Sequence, residues 1–443
     1  MDMVKGLITV FWISNYGLHS LALECQLKQE IKVINNKSND CFRECEFPAR
    51  PRECGYEFTM VWSSTMAAPC LECPESLVDC EAPQCISTDG SFRAVITTND
   101  LTPGPSIQVC HGDIIRVKVN NYLQDGAGLT IHWHGIHQID TIWADGVPMI
   151  TQCPIPSATS FVYKFVADPP GTHWWHSHNG VQRGDGAYGA LIVRVPRQTE
   201  INRKEYDFDL QEHSILIIDW MSILSLDPLM LASENAVPSH PHTLTLLTNG
   251  KGDNTDTPSD TPLTVFEVQE GFRYRMRLVN SAFGECNVQL TIESHPFTII
   301  ATDGYELSPV NVDSLILTPG ERIDLVIEAS STLKSAYCIY LTTSPHEMCP
   351  ASGTAILKYK HAHDAVKINS CASPPVNGSL FSTREFSNDV NYTDTFTFRE
   401  TYAYRGGACC DRQLQNFRTS YAFTRTVVQS SCSGENGQHV NDR

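Results

Sequence analysis

His132-Trp133-His134-Gly135 and Gly171-Thr172-His173-Trp174-Trp175-His176-Ser177-His178 decide how this chain is read. Each holds a His-x-His pair. Side chains i and i+2 of a β-strand project from one face, so each pair aims two imidazoles in one direction. Two such strands side by side present four imidazoles to one point, and neutral imidazole is a favoured ligand of copper, zinc, iron and nickel. With sixteen histidines in 443 residues, chance supplies roughly 0.6 His-x-His occurrences. The chain has four: His132/His134, His176/His178, His240/His242 and His361/His363. The first two share a tryptophan-flanked context 44 residues apart. By contrast, His240-Pro241-His242 lies in a proline-containing loop and His361-Ala362-His363 follows a strand into polar sequence, so neither is expected to ligate. For the first four, polar contacts inside a sandwich are the competing reading. Spacing alone leaves that reading open, and leaves zinc open beside copper.

Outward from these pairs, short apolar runs arrive at strand spacing: Ser106 to Val109, Asp113 to Val119, Leu129 to His134, Ser160 to Phe165 and Ala190 to Val195. No sustained 3.6-residue pattern competes with them. The series restarts with His213 to Trp220, a hairpin over Thr245 to Gly252, Phe272 to Val279, Leu290 to Ala301, Leu315 to Ala329 and Ala355 to Lys360. Short alternating strands with frequent Gly and Pro turns predict an all-β chain of tandem Greek-key β-sandwich domains, over residues 89–200 and 204–373. Residues 374–443 change character, with little alternation apart from Asn391 to Phe398, and read as an atypical tail or a remnant of a third domain.

Composition narrows the class. Apolar residues make up 41% and charged residues 19%, which is globular material. A net charge of −18 argues against a nucleic-acid partner, since binding phosphate needs a basic patch. Seven of the seventeen cysteines crowd into Cys41, Cys45, Cys54, Cys70, Cys73, Cys80 and Cys85. A zinc knuckle is the weaker reading, because Cys80-x4-Cys85 is too loose for a second tight pair. A disulfide-stapled extracellular lead over residues 25–88 is expected instead. The odd total leaves at least one thiol unpaired within the chain. Residues 1–24 read as a secretory signal, too short and interrupted to span a bilayer, and no later stretch approaches a membrane span. Acceptor triplets at Asn36, Asn377 and Asn391 are consistent with a secreted glycoprotein.

A family resemblance then adds to this reading. His132-Trp133-His134-Gly135, Trp143-Ala144-Asp145-Gly146-Val147-Pro148, Gly171 to His178 and Asp185-Gly186-Ala187-Tyr188-Gly189 resemble the multicopper oxidases, and within them the laccases. Further matches are His295-Pro296-Phe297, Ala301-Thr302-Asp303-Gly304 and Leu317-Thr318-Pro319-Gly320-Glu321-Arg322. The Cys-rich lead resembles that of the arthropod laccases. The resemblance implies cupredoxin-like domains, normally three, a type 1 copper in the third, and a trinuclear cluster where dioxygen becomes water. It implies His132 as a type 2 copper ligand and His134, His176 and His178 as type 3 ligands. It also implies Asp145 as a carboxylate assisting proton delivery, against which stands a plain turn role before Gly146. His137 and His173 are expected beside the ligands, not among them. Diphenols or related aromatics are the implied substrates.

The family pattern is incomplete here. No His-Cys-His segment occurs, and Cys110-His111 stands in a first-domain strand where the family holds no copper. The expectation is four of the eight trinuclear ligands, no type 1 site, inactivity of the chain alone, and Cys153 without its bridge. Two readings follow: a laccase-like oxidase whose sequence is incomplete or completed by a third domain on a second chain, or a secreted non-catalytic copper-binding or interaction protein.

Overall fold

A computed structural model describes residues 41–227, 244–254, 260–284, 286–330, 334–343, 350–360 and 379–382. The signal segment, the acceptor asparagines of the glycosylation triplets, the His240/His242 and His361/His363 pairs and the tail beyond 382 lie outside them. The first series of runs forms strands β1 (Glu53–Ser64), β2 (Ala94–Thr98), β3 (Ile107–Cys110), β4 (Ile114–Asn121), β5 (Ile131–His134), β6 (Thr159–Val166), β7 (Gly171–Ser177) and β8 (Tyr188–Arg194). They make two four-stranded sheets, β2-β1-β4-β6 and β3-β8-β7-β5. Alternation explains the packing: Phe58 and Met60 from one sheet and Trp133, Trp175 and Leu191 from the other fill one core. The fold is cupredoxin-like.

The lead is not separate from this sandwich. β1, within the stretch read as a Cys-rich lead, pairs in parallel with β4 over Glu53 to Met60 and antiparallel with β2. Disulfides Cys41–Cys54 and Cys45–Cys110 staple its approach to the sheets, and Cys70–Cys85 with Cys73–Cys80 close a small knuckle. A knuckle this short buries little beyond its own cysteines, so cross-links replace a core. Cys153, expected to be orphaned, is also disulfide-bonded, as are Cys286 and Cys338.

The second series forms β9 (Ser214–Met221), β10 (Leu244–Thr248), β11 (Val265–Val268), β12 (Arg273–Asn280), β13 (Val288–Ile292), β14 (Phe297–Thr302), β15 (Tyr305–Val312), β16 (Ser314–Leu317), β17 (Arg322–Glu328), β18 (Ala336–Thr343), β19 (Ser352–Tyr359) and β20 (Leu380–Ser382). These twelve are hydrogen-bonded in one sheet. Ile299 of β14 and Leu315 of β16, far apart along the sheet, enter the same core. The unit reaches past residue 373: three-residue β20 pairs with β16 and buries Phe381. Too short to carry a period, that strand left no sequence signal.

Between the two sandwiches runs an apolar seam. Trp174, Tyr188, Ala190 and Ile192 of β7 and β8 meet Leu216, Ile218 and Trp220 of β9 and Val279 of β12. Beside it lies a buried charge network. Arg275 and Arg277 alternate along β12 with the core residues Tyr274, Met276 and Leu278, and both are buried. Asp324 of β17 accepts from Arg275, from Arg277 and from the Thr172 hydroxyl of β7. Asp209 receives Arg194 and Arg277. Burying these guanidinium groups is tolerable because carboxylates meet them at hydrogen-bonding distance. The network thus fixes the strand that carries His176 to the second sandwich.

Candidate metal centre

β5 and β7 are antiparallel neighbours, and His132 pairs directly with His176. Trp133 and Trp175 point into the first core. The pleat therefore sends His132, His134 and His176 out of the opposite face. Their ligand-capable nitrogens all lie within 4.8 Å of one another. His178, just past the end of β7, completes the wall: its ring is 5.4 Å from that of His132 and 5.7 Å from that of His176. The rings of His132, His134 and His176 lie 5.4 to 5.8 Å from one another. His178 is exposed, whereas His176 is only 3% accessible.

Main-chain carbonyls orient two of the rings. Nδ1–H of His132 donates to the Asp145 carbonyl oxygen at 2.7 Å, and Nδ1–H of His176 donates to the Ser177 carbonyl at 2.9 Å. In both rings the bonded Nδ1 leaves the Nε2 lone pair for a ligand. The Asp145 contact depends on Gly146, which has φ +80°; a Cβ there would lie 1.8 Å from the Ile131 carbonyl oxygen. Only a glycine lets this turn lie flat on β5. Asp145 thus acts on His132 first through its main chain; its carboxylate stands 3.4 Å from the same Nδ1.

Electrostatics keep the wall neutral. Burial, then Arg322 and His132, push the His134 imidazole down to about 2. Burial, then Arg183, hold His176 far below its usual range, and burial followed by His132 lowers His178. Neutral imidazoles are what a metal needs, since the ligating nitrogen must be unprotonated. A further observation fits a cation: Nε2 of His176 is buried and has no hydrogen-bond partner. A polar atom left so costs about 1–3 kcal/mol unless something is bound to it. An all-imidazole donor set suits copper, and is equally open to zinc.

Several neighbours carried no role in the sequence reading. Trp174 stacks on His134 at 5.0 Å and lies 4.2 Å from His176, closing the inner side of the wall. Gly320, at φ +85°, brings the turn before β17 against His134, where a Cβ would stand 3.0 Å from the ring. Arg322 from the same turn donates to the Thr172 carbonyl. The signal for these residues was their place inside the quoted motifs; nothing in periodicity singled them out. His295 bonds the Glu293 carbonyl and the Tyr359 hydroxyl within the second sandwich. Cys110 is in a disulfide. His137 lies 3.2 Å from the Tyr305 hydroxyl.

His173 faces away from the cluster and is fully buried, with its Nε2 bonded to the Pro169 carbonyl. Burial, then Arg322, push it down to about 4 from 6.5. The unfolded chain takes up this proton below about pH 6.5, while the folded chain refuses it down to about 4. Stability from His173 is therefore whole above that window and is lost as pH falls through it. Between pH 7 and 5 the loss is about 2 kcal/mol. The His173→Gln variant is expected to flatten the pH dependence of urea unfolding by this amount; equal slopes in both proteins would contradict the assignment.

A cupredoxin-like sandwich that carries an imidazole wall and packs against a second sandwich defines a candidate metalloprotein of the cupredoxin class. The chain belongs to the multicopper oxidase family: two family models, each described as multicopper oxidase, match residues 80–198 and 211–362. It is laccase-like. Laccase-1 of Cryptococcus neoformans var. grubii is 35% identical over 278 residues, 60% of this chain and 43% of that protein. Dihydrogeodin oxidase of Aspergillus terreus is 32% identical over 340 residues, 73% of this chain and 53% of that protein. The crystal structure of laccase from Botrytis aclada superposes with a TM-score of 0.57 at 27% identity, covering 74% of this chain and 56% of that one. The chain spans about half the length of the curated relatives it matches.

Proposed function

We propose that this chain is a laccase-like copper oxidoreductase segment, acting in the one-electron oxidation of diphenols or related aromatics coupled to reduction of dioxygen to water. His132, His134, His176 and His178 would hold the copper, as one type 2 and three type 3 ligands of a trinuclear cluster. Bound copper supplies one-electron redox chemistry and a site where dioxygen accepts electrons. The observation that carries the reading is the wall itself: four imidazoles on and beside two paired strands, with one ligating nitrogen buried and unbonded. The protein's own part is definable. The carbonyls of Asp145 and Ser177 set ring orientation, Trp174 and the Gly320 turn line the inner side, and the Asp145 carboxylate, partly exposed and 3.4 Å from His132 Nδ1, would assist proton delivery from solvent. The second half of the ligand set and the type 1 site would come from a further domain or a second chain, since no His-Cys-His segment occurs in this sequence.

Secretion fits the disulfides of the described residues, since such bonds persist in oxidising compartments. Among the described residues no helix is long and apolar enough to cross a membrane. The arthropod-type assignment rests on the Cys-rich segment alone, while the relatives compared above are fungal.

The test is copper stoichiometry of the full chain together with oxygen uptake on catechol. Copper retained on the four histidines, without oxygen uptake until a polypeptide bearing a His-Cys-His segment is added, is the expected result. Failure to retain copper would sink the reading. Oxygen uptake by the chain alone would overturn the half-site. Copper retained with no complementation would instead favour a non-catalytic copper-binding protein.

A further inference from the structure

The turn between β7 and β8 carries a cation with nothing bonded to it. The Arg183 guanidinium makes no hydrogen bond or ion pair among the described residues, and its Nε is buried without a partner. It lies over the aromatic faces of Trp174, at 5.7 Å, and Phe283, at 5.8 Å. The Trp174 indole N–H is a second buried donor without an acceptor. The other arginines of the seam differ: Arg93, Arg194, Arg275 and Arg277 each meet a carboxylate. Asp219 lies close enough to act on Arg183 electrostatically, but its two oxygens accept from the main-chain N–H groups of Phe283 and Gly284. Neither of its oxygens bonds the guanidinium, so Asp219 neutralises Arg183 only at a distance. Arginine is the side chain best suited to grip an anion by directed N–H donors, and such charge-assisted bonds are about twice as strong as neutral ones. Leaving a buried donor unbonded is costly, and a bound ion is one standard explanation.

We propose that Arg183, with the Trp174 indole N–H beside it, forms a binding site for one small inorganic monoanion of halide size, next to the four-imidazole wall and independent of any metal. A small monoanion matches the two buried N–H donors, Arg183 Nε and Trp174 Nε1, that have no acceptor among the described residues. Trp174 also stacks on His134 and His176, so an anion there would adjoin the metal ligands without coordinating a metal.

The test uses the full chain stripped of metal. Bromide is exchanged for gluconate at constant ionic strength while thermal unfolding is followed. An ion that binds only the folded state shifts the folding equilibrium by roughly 100-fold at 100 times its Kd. Wild type is expected to show a saturating rise in Tm, Arg183→Lys a smaller one, and Arg183→Met none. Trp174→Phe, which removes the N–H and keeps an aromatic ring, should bind bromide more weakly; it serves if the Met variant does not fold. Anomalous scattering from bromide-soaked crystals should place the ion against Arg183. A Tm rise undiminished in Arg183→Met or Trp174→Phe, no rise in wild type, or bromide located elsewhere would each overturn the site. Because copper is absent throughout, the result is separable from the oxidase reading.

Discussion

Replacing His176 with alanine is expected to abolish tight copper binding. Of the four imidazoles, His176 is the buried one, stands directly opposite His132, and has its ring within 5.8 Å of the other three. Its Nε2 has no hydrogen-bond partner among the described residues, which leaves it open to coordinate a metal. Changes to residues that merely orient metal ligands already cost about 10–100-fold in affinity, and removing a ligand from the middle of the set should cost more than 100-fold. His178→Ala, at the exposed end of the wall, should cost less. The measurement is competition for copper against a chelator of known affinity, with electron paramagnetic resonance reporting nitrogen coordination. Circular dichroism of the metal-free variant separates loss of the site from loss of the fold. Unchanged affinity in a folded His176→Ala protein would remove the wall as a metal centre.

The second large effect is structural. Asp324→Ala should destabilise the metal-free chain by about 3–5 kcal/mol, because truncating one partner of a buried ion network leaves guanidinium charge uncompensated. Asp324 accepts from Arg275 Nε at 2.9 Å, Arg277 Nη1 at 3.1 Å and Thr172 Oγ1 at 2.5 Å, all in the seam between the sandwiches. Arg277 keeps Asp209 and Arg275 keeps Glu200; Arg277 also donates to the Thr172 hydroxyl of β7, but the acceptor for that hydroxyl is Asp324. Replacing Arg275, Arg277 and Asp324 together by apolar residues of similar volume should cost less than the single change, since it removes the charges along with their partner. Urea unfolding of the two variants checks both statements. A loss under 1 kcal/mol in Asp324→Ala would mean that the seam does not depend on this carboxylate.

What the sequence by itself determined about this protein is the content written in short-range periodicity. Alternation of apolar residues marked most strands of both sandwiches, and the i, i+2 spacing of His132/His134 and His176/His178 already required each pair to share a face. The motifs around them carried the family, and the crowded cysteines carried the disulfide character of the lead.

Only the tertiary structure decided which elements meet. β1 escaped notice inside cysteine-rich sequence, because its role comes from parallel pairing with β4 some sixty residues later. The register that sets His132 against His176, rather than one residue to either side, is a property of two strands and of neither alone. In the sequence Arg275 and Arg277 simply alternate with Tyr274, Met276 and Leu278. They are buried because Asp209, Glu200 and Asp324, remote in the chain, arrive to neutralise them. Arg183 meets two aromatic faces and, at a distance, the charge of Asp219, but no acceptor among the described residues bonds its guanidinium. Local spacing records which way a side chain points; whether that direction holds water, a counter-charge or an unfilled site depends on residues that only folding brings near.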